Sequence, residues 1–231
     1  CKTIQKVIFI LAVICVSITQ SWADSWKEIF FADPTIFVEN GKYYLTGTRN
    51  REPQGFAILE STDLKHWTVP NGKDLQLILR KGDQAFGEKG FWAPQYFKDK
   101  RTYYFTYTAN EQTVIASSKS VFGPFRQKEV KPIDASAKNI DSFLFKDDDG
   151  KYYLYHVRFN KGNYLWVAEF DIKKGSIKPE TLKQCMDCTE PWEKTPNYKS
   201  APVMEGPTVM KWDGVYYLFY SANHFMNIDY S

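Results

Sequence analysis

Helical spacing of apolar residues is nearly absent from this sequence, and so are histidine clusters, a marked excess of one charge and any very long apolar run. The missing i, i+3, i+4 pattern argues against a helical fold. The one sustained apolar stretch, VIFILAVICVSI, is twelve residues, whereas a membrane span needs roughly 18 or more. With 30 basic against 27 acidic side chains, nothing steers the chain toward nucleic acid or an anionic membrane. Cysteine is scarce too, at four residues, which excludes a disulfide-dense scaffold.

The apolar stretch follows Lys2 and Lys6 and precedes the small-residue site SWA. This order reads as a secretory signal peptide over residues 1–23, cut between Ala23 and Asp24. A lipid attachment at Cys15 is disfavoured by the bulky Ile14 before it. The mature part, 24–231, is then a secreted or periplasmic protein with no membrane span. Cleavage leaves Cys185 and Cys188 in QCMDC. A zinc site would want a second pair or histidines, so a local disulfide is expected. The run KDDDGK at 146–151 lacks the spacing and closing glutamate of a calcium loop and reads as a solvated turn.

What the sequence has in abundance is aromatic residues and a hidden repeat. An apolar strand, a turn and a Tyr-Tyr strand recur as ADPTIFVENGKYYLTGT, APQYFKDKRTYYFTYTA, IDSFLFKDDDGKYYLYHV and EGPTVMKWDGVYYLFYSA. Their first paired tyrosines, Tyr43, Tyr103, Tyr152 and Tyr216, are spaced 60, 49 and 64 residues apart. Three copies turn on Asn40-Gly41, Asp149-Gly150 or Asp213-Gly214, dipeptides suited to tight hairpins. Further strand-like material after each hairpin predicts four-stranded sheets. Such sheets at this spacing define an all-β fold, a β-propeller; a β-sandwich would not call for the same opening sequence in every unit.

The first strand of each propeller blade lines the central channel, so the heads of the repeats meet at one mouth. Those heads carry Asp33, Ala93-Pro94, Asp141 and Glu205. Any one acid alone reads as a cap or a salt-bridge partner. Three at equivalent repeat positions repel one another and predict either a metal site or acid/base chemistry.

The segments ADPT (32–35), FWAPQ (91–95), IDSFLF (140–145) and EGPTV (205–209) resemble the successive signatures of glycoside hydrolase family 43, from about Phe31 to the end of the chain. The resemblance implies a five-bladed β-propeller that hydrolyses arabinose- or xylose-containing poly- or oligosaccharides with inversion, and no cofactor in the chemistry. It implies Asp33 as general base, Glu205 as general acid and Asp141 as the residue that orients Glu205 and holds its pKa up. Apolar neighbours of Glu205, with a charged Asp141 beside it, favour its protonated form.

Trp92, heading the second blade, is a candidate sugar platform, and His224 in SANHF a candidate lining residue; packing is the alternative for both. Arg158 is similarly open. The chain starts at Cys1 and stops at NIDYS, so the expectation is an incomplete propeller, with the fourth blade partial and the fifth absent. In the family the fifth blade commonly supplies a histidine associated with calcium, so no metal is placed on a residue here. A non-catalytic sugar-binding propeller would not need all three acids, and a retaining fructan hydrolase would carry a DPNG-like segment where this chain reads DPTI.

Overall fold

A computed structural model describes residues 29–72, 74–196 and 202–231. The predicted signal segment lies outside them. Among the described residues fifteen strands run in chain order: β1 (Ala32–Glu39), β2 (Lys42–Thr48), β3 (Gly55–Ala57), β4 (Leu59–Ser61), β5 (Leu77–Arg80), β6 (Trp92–Asp99), β7 (Thr102–Ala109) and β8 (Gln112–Ser118). They continue as β9 (Asn139–Lys146), β10 (Tyr152–Phe159), β11 (Asn163–Asp171), β12 (Ser176–Ile177), β13 (Lys183–Gln184), β14 (Met204–Trp212) and β15 (Val215–Ala222). Among the described residues no helix is long and apolar enough to cross a membrane.

Each repeat contributes one main antiparallel sheet: β1-β2-β4, β6-β7-β8, β9-β10-β11 with β12 and β13 outside it, and β14-β15; β3 and β5 pair as a separate two-stranded sheet after the first. The inner strands neighbour one another in the order β1, β6, β9, β14. These are the blades of an incomplete β-propeller. The predicted fourth strand is reduced in the first two blades to a single backbone bridge, Glu60 with Thr68 and Ser117 with Arg126. Pro70 and Pro124 lie two residues from these bridges, and proline offers no ladder donor.

The paired tyrosines acquire a physical role between blades. The Tyr103 hydroxyl and Lys98 both reach Glu39 of the preceding blade. One blade on, Tyr152 and Lys146 hold Asp99, with Lys146 Nζ at 2.7 Å. Further on, Lys211 and Tyr216 hold Asp147 at 2.9 and 2.5 Å. In each clasp the lysine also lies over the tyrosine ring, 4.6–5.2 Å from its centroid. KDDDGK is therefore more than a solvated turn: Asp147 joins the third blade to the fourth.

Between the first and second blades the core is aromatic. Phe56, Phe105, Tyr107 and Phe125 are fully buried, with Phe56–Phe105 and Tyr96–Phe105 edge to face at 5.1 and 5.0 Å. Tyr107 and Tyr96 place their hydroxyls on the Phe86 and Val121 carbonyls, so neither ring buries an unpaired polar group. Between the second and third blades, Gln95 clasps both the amide and the carbonyl of Leu144, at 2.7 and 3.2 Å. Ile36 and Val38 on the first blade, and Met210, Trp212 and Phe219 on the fourth, stay exposed.

The expected disulfide is not formed; both thiols are free. The Cys185 amide extends the β11 ladder through the Leu165 carbonyl, and its side chain packs in the cluster around Val157 and Met204. Cys188 turns its thiol to the Glu193 carbonyl instead.

Candidate active site

Every inner strand carries a β-bulge at its head. The register slips between Ala32 and Thr35, between Trp92 and Gln95, between Ile140 and Phe143, and between Glu205 and Thr208. One residue per bulge is left-handed: Asp33 (φ 47), Ala93 (φ 44), Asp141 (φ 53) and Gly206 (φ 62). Aspartate and glycine tolerate this region better than most residues. Bulges re-aim side chains next to active sites, and here they turn Asp33 and Asp141 into the channel mouth.

This register corrects one sequence expectation. Asp33 and Asp141 occupy equivalent positions, but Glu205 precedes the left-handed residue and aligns with Ala32, Trp92 and Ile140. The shared proline in ADPT, WAPQ and EGPT already carried that alignment.

A second repeat supports the bulges. Residues Thr48, Thr108, Val157 and Ser221 pair with Ala32, Trp92, Ile140 and Glu205 respectively. The Thr48 hydroxyl accepts the Ala93 amide at 2.9 Å, and the Thr108 hydroxyl accepts the Asp141 amide at 3.0 Å. Val157 has no hydroxyl. The Gly206 amide turns instead to Oδ2 of Asp141, at 3.1 Å, which ties that carboxyl to the backbone beside Glu205. Thr48 also donates to Asp33 Oδ2 at 2.6 Å. Gly47, next to it, leaves room for the first strand, because a Cβ there would stand 2.6 Å from the Ala32 carbonyl oxygen.

The bulges surround a cleft of about 350 Å³ whose lining includes Asp33, Ala93, Pro94, Asp141, Gly206 and Tyr230. A larger cavity of about 540 Å³ lies at the outer edges of the second and third blades, between Arg126 and Lys173. It contains none of the three acids, so the smaller cleft is the candidate site.

Glu205 is half-buried and immediately precedes Gly206, which lines this cleft, although Glu205 itself is not part of the lining. Burial pushes its carboxyl up from the ordinary range, the Asp33 charge adds to that, and a hydrogen bond from Tyr230 opposes it. Asp141 is raised to about 7, first by burial, then by the charges of Glu205 and Asp33, against the Gly206 amide. Asp141 is thus itself strongly shifted, where the sequence suggested a charged neighbour acting on Glu205. The cluster retains a proton near neutral pH, and like-charge repulsion is part of the cause.

Trp92 stands beside the cleft with its ring against Gly90. His224 stacks on Phe225 at 4.6 Å and takes the Met226 amide on Nδ1. Neither lines the cleft. Arg158 pairs with Asp134 and Ser136, a structural role. Sequence reasoning missed Thr48, Ser221 and Tyr230. The first two were visible as the hydroxyls ending the Tyr-Tyr strands; Tyr230 had no such signal. Among the described residues no three His, Cys, Asp or Glu are grouped to hold a metal ion.

Radial blades with clustered carboxyls at the channel mouth define a β-propeller of the kind that carboxylate-based enzymes use. The chain belongs to glycosyl hydrolases family 43, whose profile matches residues 27–228. It is similar to the solved endo-1,4-β-xylanase of Bacteroides thetaiotaomicron, with 42% identity and a TM-score of 0.78 over 87% of this chain and 66% of that one. It is 28% identical to a xylosidase/arabinosidase of Butyrivibrio fibrisolvens over 83% of this chain and 37% of that protein. It is also 28% identical to the extracellular endo-α-(1→5)-L-arabinanase 1 of Bacillus subtilis over 82% of this chain and 58% of that protein. The chain therefore spans between about a third and two thirds of the length of these relatives.

Proposed function

We propose that this chain is the catalytic part of an exported glycoside hydrolase that cleaves xylose- or arabinose-containing plant glycans with inversion. The observation that carries the reading is the cleft that Asp33 and Asp141 line from the bulges of the first and third blades, with Glu205 next to the lining residue Gly206 and its charge acting on Asp141. The names of the relatives point to the sugars. The extracellular Bacillus relative and the signal-like residues 1–23 support export.

In the proposed reaction Asp33, held by Thr48, takes a proton from a water as its oxygen bonds to the anomeric carbon. The glycosidic C–O bond breaks, and Glu205 gives its proton to the departing oxygen. Both carboxyls thereby exchange protonation states, and solvent resets them. Burial and the Asp33 charge favour the protonated Glu205 that this step needs. Asp141, itself pushed up to about 7 by burial and by the Glu205 and Asp33 charges, fixes the backbone beside Glu205 through Gly206. Trp92 and His224 are proposed at the rim, Trp92 to stack on a sugar face.

The test is proton NMR of the anomers released from nitrophenyl xyloside, nitrophenyl arabinofuranoside, xylan and debranched arabinan. An inverted first product is expected. A retained anomer, or sugar binding without cleavage by the whole protein, overturns the reading.

A further inference from the structure

The acid of the cleft has a neighbour that neither the repeat nor the family motifs single out. Tyr230 lines the cleft with Asp33 and Asp141, and its hydroxyl lies between two polar side chains. It donates to the Glu205 carboxyl and accepts from the Ser221 hydroxyl. Ser221 is the β15 residue paired with Glu205. A chain of hydroxyls thus runs Ser221, Tyr230, Glu205.

The backbone holds Tyr230 in place on both sides. The Ala222 amide donates to the Ser231 carbonyl at 2.7 Å, and the Ser231 amide returns to Ala222. One residue before Tyr230, the Asp229 carbonyl accepts from Asn223 Nδ2 at 3.1 Å. Asn223 is fully buried, has a left-handed backbone (φ 68), and also binds the Trp192 carbonyl and the Thr195 amide. The segment that presents the tyrosine is therefore anchored at a core asparagine rather than draped over the surface.

We propose that Tyr230 is a positioning residue for Glu205: its hydroxyl, oriented by Ser221, fixes the carboxyl at the cleft wall and stabilises its ionised form after proton delivery. This rests on the reading of Glu205 as the acid. The carboxyls facing Glu205 are Asp33 from β1, whose charge disfavours its ionised form, and Asp141 from β9, which the Glu205 charge pushes up in turn. Tyr230 is the contact that acts the other way. A phenol donating to a carboxylate favours the carboxylate, so Tyr230 acts to keep the acid able to release its proton, against the upward push of burial and the Asp33 charge. The phenol in turn is held well above its ordinary range by burial and by the Glu205 charge, so it stays a donor across the working pH range.

The experiment is a carboxyl ¹³C NMR titration of the full chain labelled at glutamate Cδ, with the Glu205 signal assigned by its loss in Glu205→Gln. In Tyr230→Phe, which removes one oxygen, the Glu205 midpoint is expected to rise by about one pH unit. Ser221→Ala should move it less, in the same direction. An unchanged midpoint in folded Tyr230→Phe overturns the proposal. Should that variant fail to fold, the wild-type Tyr230 ring labelled at Cζ supplies the answer: its shift should track the Glu205 titration, and independence of the two overturns the contact. The basic limb of kcat/KM against pH should follow the NMR midpoint upward. If the midpoint moves but Glu205→Gln retains full turnover, the glycosidase reading falls and the contact stands. If the midpoint is fixed while Glu205→Gln is inactive, the reading stands and Tyr230 falls.

Discussion

Thr48 Oγ1 lies 2.6 Å from Oδ2 of Asp33 and accepts the amide of Ala93 at 2.9 Å. One hydroxyl thus orients the proposed base and closes the bulge of the next blade.

Thr48→Val keeps the shape and removes both bonds. It is expected to lower kcat by about tenfold to a hundredfold with little change in KM. The unpaired Ala93 amide should also destabilise the fold by about 1–3 kcal/mol. Steady-state kinetics and urea denaturation check the two effects separately.

Asp33→Asn and Glu205→Gln should each reduce kcat by about 10²- to 10⁴-fold while sugar binding survives. The two differ in substrate dependence. A nitrophenyl leaving group needs little protonation, so it should partly rescue Glu205→Gln and leave Asp33→Asn inactive. Equal losses on activated and natural substrates would assign the acid elsewhere.

Asp141→Asn tests the shifted carboxyl. With its pKa raised from 3.8 to about 7, Asp141 binds a proton in the fold that it has lost in the unfolded chain. Its contribution is fully present below about pH 4 and is lost as pH rises to about 7, so stability falls across that window. The amide cannot ionise and can still accept the Gly206 amide. Asp141→Asn should remove this slope and stabilise the protein at pH 8 by about 1–2 kcal/mol, discounted for solvent in the cleft. Thermal melts at pH 4 and 8 read the difference, while activity should fall.

Tyr216→Phe removes one bond from the clasp on Asp147 without changing the ring under Lys211. A small loss of stability is expected, seen as a lower denaturant midpoint. An unchanged midpoint would show that the ring and the lysine alone hold the third and fourth blades together.

Much of this architecture is legible along the chain because its causes are local. Alternating apolar residues and turn dipeptides place β1-β2 and β14-β15 correctly. Asn40-Gly41 and Asp213-Gly214 adopt the positive φ values their turns require. The third hairpin is less regular: Gly150 is left-handed, but its amide closes on the Asp147 carbonyl at 2.9 Å. The outer strands were overread, since local propensity cannot say whether a neighbouring ladder will be available. The paired thiols were misjudged for a related reason: their spacing permits a bridge, but backbone pairing of Cys185 and the Glu193 carbonyl near Cys188 draw the sulfurs into other contacts.

By itself the sequence determined the repeat, the strand content and the three acids, since each of these is written in residue type and spacing. Only the tertiary structure decided that Asp141 replaces a missing hydroxyl on the Gly206 amide and that Tyr230 reaches Glu205. Those outcomes depend on register between strands and on the radial approach of separate blades, and no local pattern along a single chain encodes either.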